Sequence, residues 1–256
     1  MPEGDTIHHA AHRMRPLLAG RVPDALRTPH PRLERARWPE RLGGRAITSV
    51  DAYGKHLFLR FEDGLAIHSH LRMTGLWAVR AARSRPRRHP RRIWLAIAAG
   101  QHEVFQYDGP VLELLTDARS RAATARLGPD ILAPELDEPR ILARLREDDP
   151  TRAFGDALLD QRVVAGLGNV WRSEACWEAR VDPRRRTSEV SDEEVLGLLR
   201  STRSQMQKSA LHGSRTRPRR AYDRAGEPCL RCGTPIAARA VGDDARTAFW
   251  CPGCQR

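Results

Sequence analysis

The sequence predicts an α+β, multidomain chain: a helix at the N-terminus, a strand-rich half behind it, a helical segment, and a small cysteine-bounded module. Three observations predict this. Apolar residues recur at helical spacing over residues 3–19. Six short apolar runs fall between residues 47 and 107, separated by turn signals. Two Cys-x-x-Cys pairs close the sequence after a segment with helical patterning. A length of 256 residues suits one large domain or two to three small ones.

The first helix is read from Ile7, Ala10, Ala11, Met14, Leu17 and Leu18, with Gly20 as its stop. Strands are expected at Ile47–Val50, Lys55–Phe61, Leu65–His70, Leu76–Arg80, Ile93–Ala98 and Val104–Tyr107. A Glu62-Asp63-Gly64 turn makes a hairpin of two of them, and the set suggests a sandwich or a barrel. Residues 83–92 hold six arginines, two prolines and no apolar residue, which reads as a flexible insert between strands. Such a charge run is either solvated surface or a source of salt-sensitive affinity for nucleic acid. Gly128-Pro129-Asp130 marks a domain border near 120–135. Helices are expected over Pro139–Arg146, Arg152–Leu159, Val170–Glu178 and Val195–Lys208, the last opened by a Ser191/Glu194 capping box. Arg215–Arg220 reads as a basic, proline-interrupted linker. The expected domains are 1–120, 121–222 and 223–256.

The charge is +12, nearly all from arginine, and the pI is near 10.7. Such a field favours a polyanion, nucleic acid first, although a basic ribosomal protein or a polybasic membrane binder would carry the same number. No run of 18 apolar residues and no signal core is present, so a soluble, cytoplasmic chain with no membrane partner is expected. In that compartment five cysteines argue for metal rather than disulfides. Cys229 and Cys232 are separated from Cys251 and Cys254 by 18 residues, the spacing of a four-thiolate Zn2+ site that is closed and structural. The ribbon is expected to present a hairpin over roughly residues 235–250. Cys176 is left over and reads as a small buried hydrophobe beside Trp177.

The opening Met1-Pro2-Glu3-Gly4-Asp5-Thr6 carries chemistry of its own. With Met1 removed, Pro2 presents a secondary amine whose ordinary pKa, near 8, leaves part of it uncharged at neutral pH. An uncharged amine can form a Schiff base, and Glu3 and Asp5 stand ready to move protons. A Gly166-Leu167-Gly168-Asn169 turn at a helix start can grip a phosphate with its amides and the Asn169 side chain.

Taken together, Met1–Thr6, the Gly54-Lys55-His56-Leu57 segment, Leu-Asp-Gln-x7-Asn-Val-Trp-x-Ser-Glu (159–174) and the four cysteines resemble the formamidopyrimidine-DNA glycosylase and endonuclease VIII family, with the endonuclease VIII branch nearer. The likeness runs from residue 2 to residue 255. It implies an N-terminal β-sandwich, a helix–two-turn–helix domain and a zinc ribbon, acting as a monomer on damaged DNA. It also implies a bifunctional DNA glycosylase and apurinic/apyrimidinic lyase, with Pro2 as nucleophile, Glu3 assisting, and β,δ-elimination of both phosphates; charge and cysteines alone would also suit a non-enzymatic zinc-ribbon DNA-binding protein, which has no use for Pro2-Glu3 or Lys55. By the same resemblance Lys55, Asn169 and Arg246 contact phosphates. Met73, with Arg72 beside it, fills the hole left by the flipped base, and Gln161 and Glu174 brace the glycine turn. No redox cofactor or catalytic metal is implied. The purine-excising branch places an Arg and a Phe after the strand near residue 105. Here that segment is Gln106-Tyr107-Asp108-Gly109-Pro110-Val111-Leu112-Glu113, so oxidised pyrimidines are the expected lesions and oxidised purines the alternative.

Overall fold

Helix α1 (Gly4–Leu18) lies within the predicted span, and its Ile7, Ala11, Met14 and Leu18 are all fully buried. The spacing of these four puts them on one face of the helix, which explains why an otherwise polar segment folds here. The computed structural model describes residues 1–85, 87–241 and 246–256; Pro86 of the Arg-rich insert and the tip of the expected C-terminal hairpin, 242–245, lie outside the described residues. The chain divides into two compact units, Met1–Pro2 with Thr6–Ala125, and Glu3–Asp5 with Arg126–Arg256.

In the N-terminal unit β1 (Ala25–Arg27), α2 (Pro31–Glu34) and α3 (Trp38–Leu42) precede β2 (Ile47–Tyr53), β3 (His56–Phe61), β4 (Leu65–His70) and β5 (Leu76–Ala81). β6 (Ile93–Ala99), β7 (His102–Tyr107), β8 (Val111–Thr116) and α4 (Asp117–Ala122) complete it. Two four-stranded antiparallel sheets form, β1-β6-β7-β5 and β2-β3-β4-β8. Val50, Leu57, Leu59 and Ile67 of one share a core with Trp77, Leu95, Ile97 and Val104 of the other and with the apolar face of α1. This is a β-sandwich.

All six expected strands are present; β1, β8 and α2–α4 are additional. Val111–Thr116 escapes a propensity reading because leucine and glutamate dominate it. Pairing with the whole of β4, from Leu65↔Thr116 to His70↔Val111, makes it a strand. Lys55 does not open β3. It sits with Gly54 in a two-residue turn closed by the Tyr53↔His56 pair, and Gly54 has φ +54°, the glycine-first pattern of a II′ hairpin. The Arg-rich insert is less free than its composition suggests, since Pro90–Arg92 make a 3-10 turn and Arg88 and Arg92 both pair with Asp108.

In the C-terminal unit α5 (Glu138–Glu147), α6 (Phe154–Ala157), α7 (Asn169–Ala179) and α8 (Asp192–His212) surround a core of Phe154, Val164, Leu167, Trp171, Leu198 and Met206. The Ser191/Glu194 capping box opens α8, as its sequence requires. The helix expected over Arg152–Leu159 is a single turn. Asp160 ends it by accepting hydrogen bonds from the Arg162 amide and guanidinium. The antiparallel pair β9 (Ala237–Val241) and β10 (Arg246–Trp250) follows. Among the described residues no helix is long and apolar enough to cross a membrane.

The sheet face turned away from the sandwich core carries an ordered imidazole row. His56 and His68 share a hydrogen bond of 2.9 Å between Nδ1 and Nε2, and their rings stack with Phe58. His68 Nδ1 lies 3.4 Å from Glu113 Oε2. A carboxylate only accepts, so His68 donates from Nδ1 and receives the His56 proton at Nε2. Burial, then the neighbouring imidazoles and the Arg72 and Lys55 charges, push His56 down to about 3. Burial, then Arg72 and Lys55, lower His70 to about 4. Below the ordinary value of 6.5 the unfolded chain therefore binds protons that the folded chain refuses, so this stability is full above about pH 6.5 and is lost as the pH falls toward 4. Thermal unfolding midpoints should drop over that window, and His56→Gln should flatten the drop relative to the parent. Parallel curves for the two proteins would show that the row does not titrate this way.

Candidate active site and zinc centre

The loop before α7 is built around a side chain from the other end of the sequence. Glu3 is fully buried, and its carboxylate accepts hydrogen bonds from the amides of Gly168 (3.1 Å), Val170 (2.9 Å) and Trp171 (3.2 Å). These are amides that the helix itself leaves unpaired, and the helix dipole favours an anion there. The glycine at 168 is required, because a Cβ would stand 2.4 Å from Glu3 Cδ. Gly4 N donates to Gly166 O at 2.9 Å, so the same loop also holds the backbone beside Glu3. Gln161 braces the loop as expected, donating to the Leu159 and Leu167 carbonyls and accepting from Gly166 N.

The structure departs from several sequence expectations. The turn's amides bind the protein's own carboxylate instead of a phosphate. Asp5 is fully buried, and its carboxylate takes a two-pronged grip from Arg217 and a short hydrogen bond from Ser209 Oγ at 2.5 Å. Arg217 belongs to the segment read as a linker, which is thus tied down. Glu174 braces that segment rather than the glycine turn, receiving the Arg220, Ala221 and Tyr222 amides.

Asn169, the first residue of α7, donates from Nδ2 to Thr247 O at 2.9 Å. Arg172, one helical turn later and fully buried, donates to Asn169 Oδ1, to Thr247 O at 2.8 Å and to Asp156 at 3.1 Å. Arg172 was missed in the sequence. Its place at i+3 from Asn169 was the available signal. Arg246, the neighbour of Thr247 and exposed, opens β10. Glu3, Asn169 and Arg246 therefore lie in one unit, around the start of α7. Pro2, Lys55, Arg72 and Met73 belong to the other. There the Lys55 and Arg72 charges act on His56 and His70, and Met73, 67% exposed, stands in the loop between β4 and β5.

The four Sγ atoms of Cys229, Cys232, Cys251 and Cys254 lie within 4.8 Å of one another. Cys229–Cys254 and Cys232–Cys251 are 3.7 and 3.4 Å apart, close to the roughly 3.8 Å edge of a tetrahedron with Zn–S bonds of about 2.3 Å. Against burial, hydrogen bonds from the Arg231 amide and the Trp177 indole bring Cys229 down to about 6. Burial and then the three neighbouring thiols push Cys254 up to about 12. As the four thiolates that hold zinc, these side chains could not stand so close without a cation among them, and this is a structural zinc site. Cys176 lies elsewhere, fully buried, its thiol pushed up to about 12 by burial.

The comparisons with known proteins agree with this geometry. Residues 1–110 match the formamidopyrimidine-DNA glycosylase N-terminal domain, 127–219 the formamidopyrimidine-DNA glycosylase H2TH domain, and 226–256 the zinc finger found in FPG and IleRS. The chain is 40% identical to "Probable endonuclease 8 2" of Streptomyces coelicolor, covering all of this chain and 94% of that protein. It is 35% identical to "DNA-(apurinic or apyrimidinic site) lyase Nei2" of Mycolicibacterium smegmatis, covering all of this chain and 99% of that one. A crystal structure of Lactococcus lactis formamidopyrimidine-DNA glycosylase bound to DNA containing an abasic site superimposes with a TM-score of 0.83 at 24% identity, over the whole of both chains. Sandwich, helical domain and zinc finger define a DNA glycosylase/lyase fold. The chain belongs to the formamidopyrimidine-DNA glycosylase/endonuclease 8 family of bifunctional glycosylases and apurinic/apyrimidinic lyases.

Two outcomes follow from this geometry. Gly168→Ala should expel the Glu3 carboxylate and destabilise the protein by at least about 2 kcal/mol in urea unfolding, because three hydrogen bonds to a charged group are lost; unchanged stability would contradict the packing. Zinc analysis should find one metal per chain. Chelation should change Trp177 and Trp250 fluorescence by loosening the C-terminal module while α7 and α8 stay folded, and an identical spectrum after complete metal removal would count against a structural role.

Proposed function

We propose that the chain excises oxidised pyrimidines from DNA and cuts the strand at the resulting site, with Pro2 as nucleophile. The observation that carries this reading is the burial of Glu3 on the α7 amides, because it holds the residue after Pro2 in place where a free terminus would fray. With Met1 removed, the Pro2 nitrogen forms a bond to C1′ of the flipped nucleotide as the C1′–base bond breaks. The base leaves with the electron pair and is protonated. Ring opening, assisted by Glu3, gives the iminium, which acidifies C2′. Loss of that proton expels the 3′ phosphate, and a second elimination expels the 5′ phosphate. Lys55, Asn169 and Arg246 hold phosphates, and Arg72 and Met73 occupy the gap in the stack. Zinc supplies no chemistry here and fixes the finger that carries Arg246. The protein acts as a monomer in the cytoplasm.

The turn after β7 supports pyrimidine lesions. Only Asp108, Gly109 and Pro110 separate β7 from β8, and Asp108 is engaged by Arg88 and Arg92. No Arg or Phe of this turn is available to read the opposite base, a contact worth about 1–3 kcal/mol of discrimination.

Borohydride should trap the protein on abasic DNA through Pro2, and a retained Met1 or an N-terminal tag should abolish trapping. Efficient trapping by a tagged, uncleaved protein would remove Pro2 from its role. In single-turnover assays thymine glycol and dihydrouracil should be excised with little dependence on the opposite base. A clear preference for 8-oxoguanine opposite cytosine would overturn the lesion assignment alone.

A further inference from the structure

The segment Leu71–Gly75 between β4 and β5 is pinned at its ends and exposed at its middle. Leu71 is buried, Gly75 N donates to Leu71 O at 2.8 Å, and Arg72 N donates to His70 Nδ1 at 3.2 Å. Arg72 takes a left-handed φ of +46°, which turns the chain so that Met73 stands out. One contact reaches this loop from the Arg-rich insert: Arg88 Nη1 donates to Thr74 O at 2.7 Å. The same nitrogen pairs with Asp108 Oδ2. Asp108 in turn receives Arg92 Nε on Oδ1 at 2.7 Å, and its own amide donates to Arg92 O at 2.9 Å. Arg87 N donates to Tyr107 OH at 3.2 Å. The insert is thus fastened to the end of β7, and through Arg88 to the Met73 loop.

We propose that Arg88 is a positioning residue for Met73: its guanidinium bridges Thr74 O and the Asp108 carboxylate, and so holds the loop in the shape that presents the methionine. The inference rests on the reading of Met73 as the side chain that fills the emptied stack. Both protons of one Nη1 group are used, one on each partner, and the Asp108 carboxylate makes the pair charge-assisted. Both bonds leave one nitrogen at the far end of a long side chain, and the shorter stem of lysine does not carry its ammonium as far. A wedge held in place before binding need not be ordered during it. Asp108, itself at φ +50°, is oriented for this role by Arg92. The arginine run therefore has a specific member besides whatever unspecific field it supplies.

The test compares Arg88→Ala, Arg88→Lys and Asp108→Asn with the parent in single-turnover excision of dihydrouracil from duplex and from single-stranded DNA. Each is also made in a Met73→Ala background. Expected are a roughly tenfold loss on duplex, little loss on single strands, no rescue by lysine, and no further loss once Met73 is gone. Losses that are equal on both substrates and restored by lysine would make Arg88 a plain phosphate contact and overturn the proposal. If Met73→Ala alone shows no duplex-specific loss, the wedge reading fails. The brace is then judged by the 13C-methyl signal of Met73 in the free protein, which should sharpen toward a mobile side chain in Arg88→Ala; an unchanged signal would refute the brace by itself.

Discussion

Three backbone amides at the start of α7 and one carboxylate from residue 3 set the arrangement on which the rest of the C-terminal unit depends. A helix start leaves amides without partners, and burying them unpaired costs about 1–3 kcal/mol each. Glu3 answers three at once, and a buried glutamate would otherwise be equally costly. Neither half is stable inside the protein without the other. The glycine at 168 follows from this, since the carboxylate can approach only where residue 168 has no side chain.

A second set of anchors repeats the logic nearer the C-terminus. Glu174, on the same helix, takes three consecutive amides of residues 220–222, which fixes the entry to the zinc module. Trp177, one turn further, donates to Cys229 Sγ and packs among Ala221, Cys229, Ile236 and Cys251. Helix α7 is therefore one continuous rail. Its first turn holds Glu3 and Asn169, its middle holds the linker, and its last turn meets a zinc ligand. Cys251 directly follows β10, and Asn169 and Arg172 meet the β10 backbone at Thr247 O.

Much of this was legible in the sequence because the signals are local. The apolar face of α1, the six strands, the capping box of α8 and the cysteine pairs all follow from spacing alone. What could not be read depends on partners far along the chain. Glu3 is separated from Val170 by 167 residues and Asp5 from Arg217 by 212, so nothing near either acid announces its partner. Strand β8 is a strand because β4 offers an edge. Arg88 looked like one of six equivalent arginines, and only the position of Thr74 O and Asp108 distinguishes it.

The occupancy of the α7 amides also narrows how this unit can hold DNA. A glycine turn ahead of a helix is ordinarily a phosphate cradle made of backbone. Here a carboxylate already fills it, so a second anion there would meet like charge. On the proposed function, phosphate contacts in this unit fall to side chains rather than to these amides, which is the role proposed for Asn169 and Arg246. Asn169 spends one N–H proton of Nδ2 on Thr247 O, and Arg172 fixes its Oδ1, so the amide plane is set and the second N–H proton has a defined direction. Side-chain donors placed this way lose little rotamer freedom when an anion arrives. Gly-x-Gly-Asn thus holds one anion in this structure, the protein's own carboxylate against Gly168, while the asparagine beside it carries the proposed contact to a second, a DNA phosphate.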